Sequence, residues 1–127
     1  MIEKKVLICE DTEILAKMIA DYFRELDVHI KPVVLAHEGK ADLVVDETEA
    51  TVRREQPDYM VVDGLGGRWE KVINIARKVK PDIKAVVFSG DYGMVDEARQ
   101  RGYKVFEKPG DNDRIVEYFV GLAKAKP

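Results

Sequence analysis

Three acids, a serine and a lysine stand where apolar runs of this sequence stop. Glu10 and Asp11 follow KVLIC (Lys5 to Cys9), Asp63 follows YMVV (Tyr59 to Val62), Ser89 closes AVVFS (Ala85 to Ser89), and Lys108 follows KVFE (Lys104 to Glu107). Each has an ordinary structural use when taken singly: Asp63 and Ser89 as helix caps, Glu10 with Asp11 as a solvated turn, Lys108 as a surface charge. Gathered at one place they have a chemistry. Two carboxylates about 4 Å apart repel by roughly 4 kcal/mol at an effective dielectric near 20, so a cluster of acids requires a compensating cation. A site of few carboxylates, a backbone oxygen and open positions suits Mg2+, which keeps waters and accepts phosphate oxygens. Lys108 and Ser89 would face the same phosphate as cation and hydrogen-bond donor. Asp63 beside a metal and a lysine is then a nucleophile toward phosphorus, giving an aspartyl phosphate.

Those residues meet only if the runs that carry them are parallel strands of one sheet. Unbroken apolar runs imply strands covered on both faces, and the intervening stretches carry helical stripes. Helix one places Ile14, Leu15, Met18, Ile19, Tyr22, Phe23 and Leu26 on one face; helix three has Trp69, Val72, Ile73, Ala76 and Val79, closed by Pro81. Helix four turns Met94, Val95 and Ala98 inward, and helix five, capped within Asp111 to Asp113, turns Ile115, Val116, Phe119 and Ala123 inward. Between helix one and strand three, IKPVVLA reads as strand two and HEGKA as a turn. DLVV, Asp42 to Val45, is expected to cover or extend the strand-two edge, and Asp46 with Glu49 to form the capping box of a short helix from about Glu47 to Glu55. Five strands alternating with five helices, joined by right-handed crossovers, make an α/β fold: a doubly wound five-stranded parallel sheet, flavodoxin-like order 2-1-3-4-5, with helices on both faces. Its ligand edge lies at the C-terminal ends of the strands, where the acids, the serine and the lysine stand.

Composition narrows the function. The 127 residues match one ordinary domain, expected to be a single unit over 1–127. With 46% hydrophobic and 35% charged residues and a formal charge of −3, the chain lacks the basic excess of a nucleic-acid binder. The apolar start is too short for a signal peptide or membrane span, and the lone Cys9 has no internal disulfide partner, so the cytoplasm is the expected compartment.

In order and placement these residues resemble the receiver domain of bacterial two-component response regulators, and the resemblance covers essentially the whole chain. It implies that Glu10 and Asp11 bind Mg2+, that Asp63 is the phosphoacceptor and a further metal ligand, and that the Leu65 backbone carbonyl coordinates the same ion. It gives Ser89 the place of the Ser or Thr after strand four, with Gly90 beside it, and Lys108 with Pro109 that of the Lys-Pro pair after strand five. The implied phosphodonor is a histidine kinase or phosphotransfer protein, docking on Leu15 and Met18 of helix one and Pro109 after strand five; ordinary core packing accounts equally well for Leu15 and Met18. Leu65 and Asp91 occupy the positions that place or exclude the hydrolytic water, Leu65 as an apolar cover. The implied role is a stand-alone phosphoacceptor without an output domain, working with its own phosphotransfer and dephosphorylation chemistry at most and passing the signal to a downstream protein.

Departures from the family pattern leave a second reading open. Gly67 stands where the family has proline, the loop after Asp63 is shortened, and the long interval from Asp11 to Asp63 places an insertion near residues 38–46. Val105 occupies the position of the family's aromatic switch, with Phe106 beside it on the opposite face of strand five. The alternative is a receiver-like protein-interaction module that signals without phosphorylation. Other folds of this shape fit less well: a flavodoxin cradles a phosphate in the loop after strand one, which Glu10 and Asp11 would repel, and a haloacid-dehalogenase-type phosphatase wants a second aspartate two positions after the first, where Glu13 stands.

Overall fold

Five apolar runs become five parallel strands in the computed structural model, which describes residues 3–26, 29–108 and 110–124. The order along the chain is β1 (Lys4–Glu10), α1 (Glu13–Leu26), β2 (Ile30–Ala36), α2 (Ala41–Glu55), β3 (Tyr59–Asp63), a 3-10 turn (Leu65–Gly67), α3 (Trp69–Val79), β4 (Lys84–Ser89), α4 (Tyr92–Gln100), β5 (Lys104–Glu107) and α5 (Asn112–Lys124). The sheet runs β2-β1-β3-β4-β5, as predicted.

Strand alternation sends successive side chains to opposite faces, so each strand contributes to two cores. Val6 and Ile8 of β1, Tyr59 and Val61 of β3, and Phe106 of β5 pack under α1 and α5, whose buried residues include Phe23 and Phe119. Leu7 and Cys9, Met60 and Val62, and Val105 pack under α2, α3 and α4. Val105 and Phe106 therefore occupy opposite faces, as the strand period requires. Cys9 is buried, and burial pushes its thiol up to about 12, which leaves it inert.

Two predictions about helices are corrected. DLVV is no edge strand: it forms the first turns of α2, which starts at Ala41 without a side-chain cap from Lys40 and packs Val44 and Val45 in one cluster with Leu35 of β2. Val44, Val45, Thr48, Thr51 and Val52 form its buried stripe. The two threonines break the apolar pattern, yet burial costs them little because their hydroxyls donate to the carbonyls of Val44 and Glu47, both at 2.7 Å. Asp46 and Glu49 consequently lie exposed in the body of α2 and cap nothing. In α1 the face against the sheet is Ala16, Ile19, Ala20 and Phe23, while Ile14, Met18 and Leu26 are exposed. Alanines let the helix approach the sheet, and the larger residues beside them are displaced to the surface.

Candidate functional site

Strand register and parity decide which side chains meet. Cys9 pairs with Val62, Asp63 with Phe88, and Ser89 with Glu107, so the ends of β1, β3, β4 and β5 lie at one edge. Glu10, Asp63 and Lys108 continue the parity of Ile8, Val61 and Phe106, while Ser89 continues that of Val87 and faces the α4 side.

The first three form one charged bridge. The Lys108 ammonium lies 2.8 Å from Glu10 Oε1 and donates a second, short bond to Asp63 Oδ1, 5.3 Å above the Phe88 ring. Glu10 is buried at 1% exposure, and its other oxygen accepts the Thr12 N–H at 3.1 Å. Burial, then the negative charge of Asp63, pushes the Glu10 carboxyl up to about 7 against the pull of Lys108. For Lys108 burial works the other way and lowers the ammonium, but the bonds to Asp63 and Glu10 outweigh it and hold the group above its ordinary value. Asp63 Oδ2 accepts the Leu65 N–H at 3.0 Å, so backbone and lysine together fix the carboxylate plane.

Asp11 completes the acid set. One oxygen each from Glu10, Asp11 and Asp63 lies within 4.8 Å of the others, and three hard carboxylate oxygens at a half-open edge fit the donor requirements of Mg2+. The loops around Asp11 are tied down: its carbonyl accepts Gly39 N–H at 2.8 Å, and Glu38 Oε1 accepts Glu13 N–H at 2.9 Å. A cleft of about 630 Å3, lined by Asp11, Lys40, Asp42, Gly66 and Arg68 among others, opens beside this acid. Its far wall is held by the Arg68–Asp42 ion pair at 2.8 Å.

The turn after Asp63 departs from the sequence-based expectation. Leu65 takes the left-handed region at φ 52, followed by Gly66 at φ 63 and Gly67 at φ 95. That turn carries the Leu65 side chain into the core at 1% exposure, where it packs with the cluster under α3 and is no cover over Asp63. Its carbonyl accepts the Arg68 backbone N–H at 3.2 Å and the Arg68 guanidinium at 3.4 Å. Asp91 is likewise committed to scaffold: its carboxylate caps α4 by accepting Met94 N–H at 3.1 Å. The sequence reading missed Met94, taken only as an inward residue of helix four, which the structure seats against Ser89. Of the docking candidates, Leu15 is half-buried and Met18 exposed, outside the buried face of α1, and Pro109 lies outside the described residues.

Metal binding should be linked to protons. A divalent ion at these acids requires Glu10 to ionise, so Mg2+ titration at pH 6 is expected to release protons, with affinity rising as pH increases and levelling above about 7. Asp11→Asn should weaken binding at least tenfold. At 100 times the dissociation constant Mg2+ should add about 2.7 kcal/mol of stability. Calorimetry in buffers of different ionisation enthalpy measures the proton release; none at pH 6, with an unchanged melting temperature, would contradict the assignment.

No family model and no curated protein matches the sequence. Among solved structures, the signal receiver domain of a DNA-binding response regulator from Colwellia psychrerythraea 34H superposes with TM-score 0.74 at 16% identity, covering 97% of this chain and all of that one. The receiver domain of the putative response regulator NarL from Mycobacterium tuberculosis matches with TM-score 0.67 at 18% identity, over 99% of this chain and all of that one. The pilus assembly protein CpaE from Caulobacter crescentus CB15 matches with TM-score 0.61 at 17% identity, over 94% and 98% of the two chains. The chain has the fold of response-regulator receiver domains. Among the described residues, no helix is long and apolar enough to cross a membrane.

Proposed function

We propose that this protein is a cytoplasmic phosphoacceptor of a two-component signalling system, taking a phosphoryl group onto Asp63 from a histidine kinase or phosphotransfer protein. The observation that carries the reading is the bridge of Lys108 between Glu10 and Asp63 at the ligand edge of a receiver fold, with Asp11 and Ser89 at the same edge. Asp63, held by Leu65 N–H and Lys108, attacks phosphorus in line. A carboxylate O–P bond forms, the donor's P–N or P–O bond breaks, and the electron pair leaves with the imidazole or carboxylate of the donor. Lys108, already within reach, transfers one of its bonds to a phosphoryl oxygen, and the Ser89 hydroxyl supplies a neutral donor. Glu10, Asp11 and Asp63 would hold Mg2+, which would supply charge neutralisation for the phosphoryl oxygens.

Incubation with Mg2+ and acetyl phosphate, followed by intact mass, tests this. One added phosphoryl group is expected in the wild type and none in Asp63→Asn. An unmodified wild type would instead leave the reading of a receiver-like module that signals by contact alone.

A further inference from the structure

We propose that Met94 couples the phosphorylation site to helix α4, through a clasp that the Ser89 hydroxyl keeps closed until a phosphoryl group arrives. The inference rests on the phosphoacceptor reading and names how that site acts on the rest of the protein. Ser89 is buried, and its hydroxyl makes two bonds. Its oxygen accepts the Asp91 N–H at 3.0 Å, and it donates to the Met94 thioether at 4.0 Å. Both partners belong to the first turn of α4: Asp91 is the N-cap, and its carboxylate and carbonyl accept the N–H groups of Met94 and Val95 at 3.1 and 3.0 Å. One hydroxyl thus anchors the start of the helix at two points.

The anchor is weak in a particular way. A thioether is a poor acceptor, whereas bonds to a charged oxygen are roughly twice as strong as neutral ones. A phosphoryl oxygen on Asp63 therefore outcompetes the sulfur for the Ser89 proton, and a turn of the serine side chain about χ1 toward that oxygen carries Oγ away from the Asp91 N–H. Met94 is placed to feel the exchange from a second side. Gly64, directly after Asp63, has no side chain, and the thioether fills the space: a Cβ at Gly64 would lie 2.5 Å from Met94 Sδ and 3.3 Å from Ser89 Oγ. Displacement of the Asp63–Gly64 backbone or of Ser89 pushes on the same sulfur. Helix α4 has nine residues and buries only Val95 and Ala98, so little else resists its movement. On the neighbouring strand Val105 is buried and carries no ring that could swing.

Hydrogen exchange of the α4 amides, measured on the full chain with Mg2+ with and without acetyl phosphate, reads the clasp, and intact mass reads the adduct in the same samples. In the wild type, phosphorylation is expected to lower protection of the first turn of α4 about tenfold, the scale of one or two lost hydrogen bonds. Met94→Leu should take up phosphate, start with that protection already reduced, and change less than about twofold on phosphorylation. Ser89→Ala should start equally open. If Met94 were only a packing residue, Met94→Leu would shift the melting temperature and keep the full phosphorylation-dependent change, which overturns the proposal. A phosphorylated wild type with unchanged α4 protection overturns it too while leaving the phosphoacceptor reading intact. A wild type without adduct overturns both.

Discussion

Replacing Lys108 by methionine is expected to destabilise the fold by about 3 kcal/mol at pH 8 and by well under half of that at pH 5.5. The side chains of Lys108, Glu10 and Asp63 are 19%, 2% and 14% exposed, so solvent screens the bridge poorly. Removing one partner of such a pair leaves uncompensated charge, here two facing carboxylates, while methionine keeps the apolar stem over Phe88. The pH dependence follows from Glu10. Its carboxyl is raised from 4.5 to about 7, so the folded protein holds a proton that the unfolded chain has lost. More protons in the folded state means that stability falls as pH rises through that window. Below it, Glu10 is neutral and Lys108 compensates a single carboxylate; above it, both are charged and the lysine is indispensable. Without the lysine the Glu10 pKa moves further up and the window extends to higher pH. Urea unfolding of wild type and variant at the two pH values measures the difference, and a loss of equal size at both would refute the bridge.

The exposed face of α1 carries the second large expectation. Ile14 is 72% exposed and Met18 39%, large apolar groups with no place in the core, on the helix that starts beside the acid cluster. If this face receives the phosphodonor, Ile14→Glu and Met18→Glu should each slow transfer from a phosphohistidine protein about 30-fold, the loss of one interface anchor worth about 2 kcal/mol. Stability should stay within about 0.5 kcal/mol of wild type, as for other surface substitutions. The rate with acetyl phosphate should also be unchanged, because Asp63 and Lys108 are untouched. Equal loss with both donors would place these residues in the fold or the chemistry, and no loss with either would remove α1 from the docking surface.

How much of this was legible in the chain depends on what each signal measures. Strands covered on both faces read as apolar runs, so all five strands and the residues at their ends could be placed in order, and parity placed Val105 and Phe106 on opposite faces. Periodicity failed where buried residues are not apolar or not large. Thr48 and Thr51 hid the core face of α2 because their hydroxyls bond within the helix, and Ala16 and Ala20 were overlooked in favour of bulkier neighbours. Backbone conformation at Leu65 had no sequence signal, since a left-handed leucine costs about 1–2 kcal/mol and is adopted only where the rest of the loop requires it. Asp91 did carry a signal, that of a polar residue just ahead of a helix, and capping takes its carboxylate away from any role toward water. Met94 was invisible as a partner of Ser89 because the contact depends on the missing side chain of Gly64.

The roles proposed for Glu10, Asp11, Ser89 and Lys108 all require Asp63 to form an acyl phosphate, and chemical mapping tests that most directly. Borohydride reduces an acyl phosphate to the corresponding alcohol, so protein treated with Mg2+ and acetyl phosphate and then reduced should give a peptide with homoserine in place of aspartate at residue 63. Glu10, Asp11 and every other carboxylate should be unchanged, and the product should be absent without Mg2+. Reduction at another residue, or none in wild-type protein treated this way, would contradict the assignment of Asp63 as the phosphoacceptor.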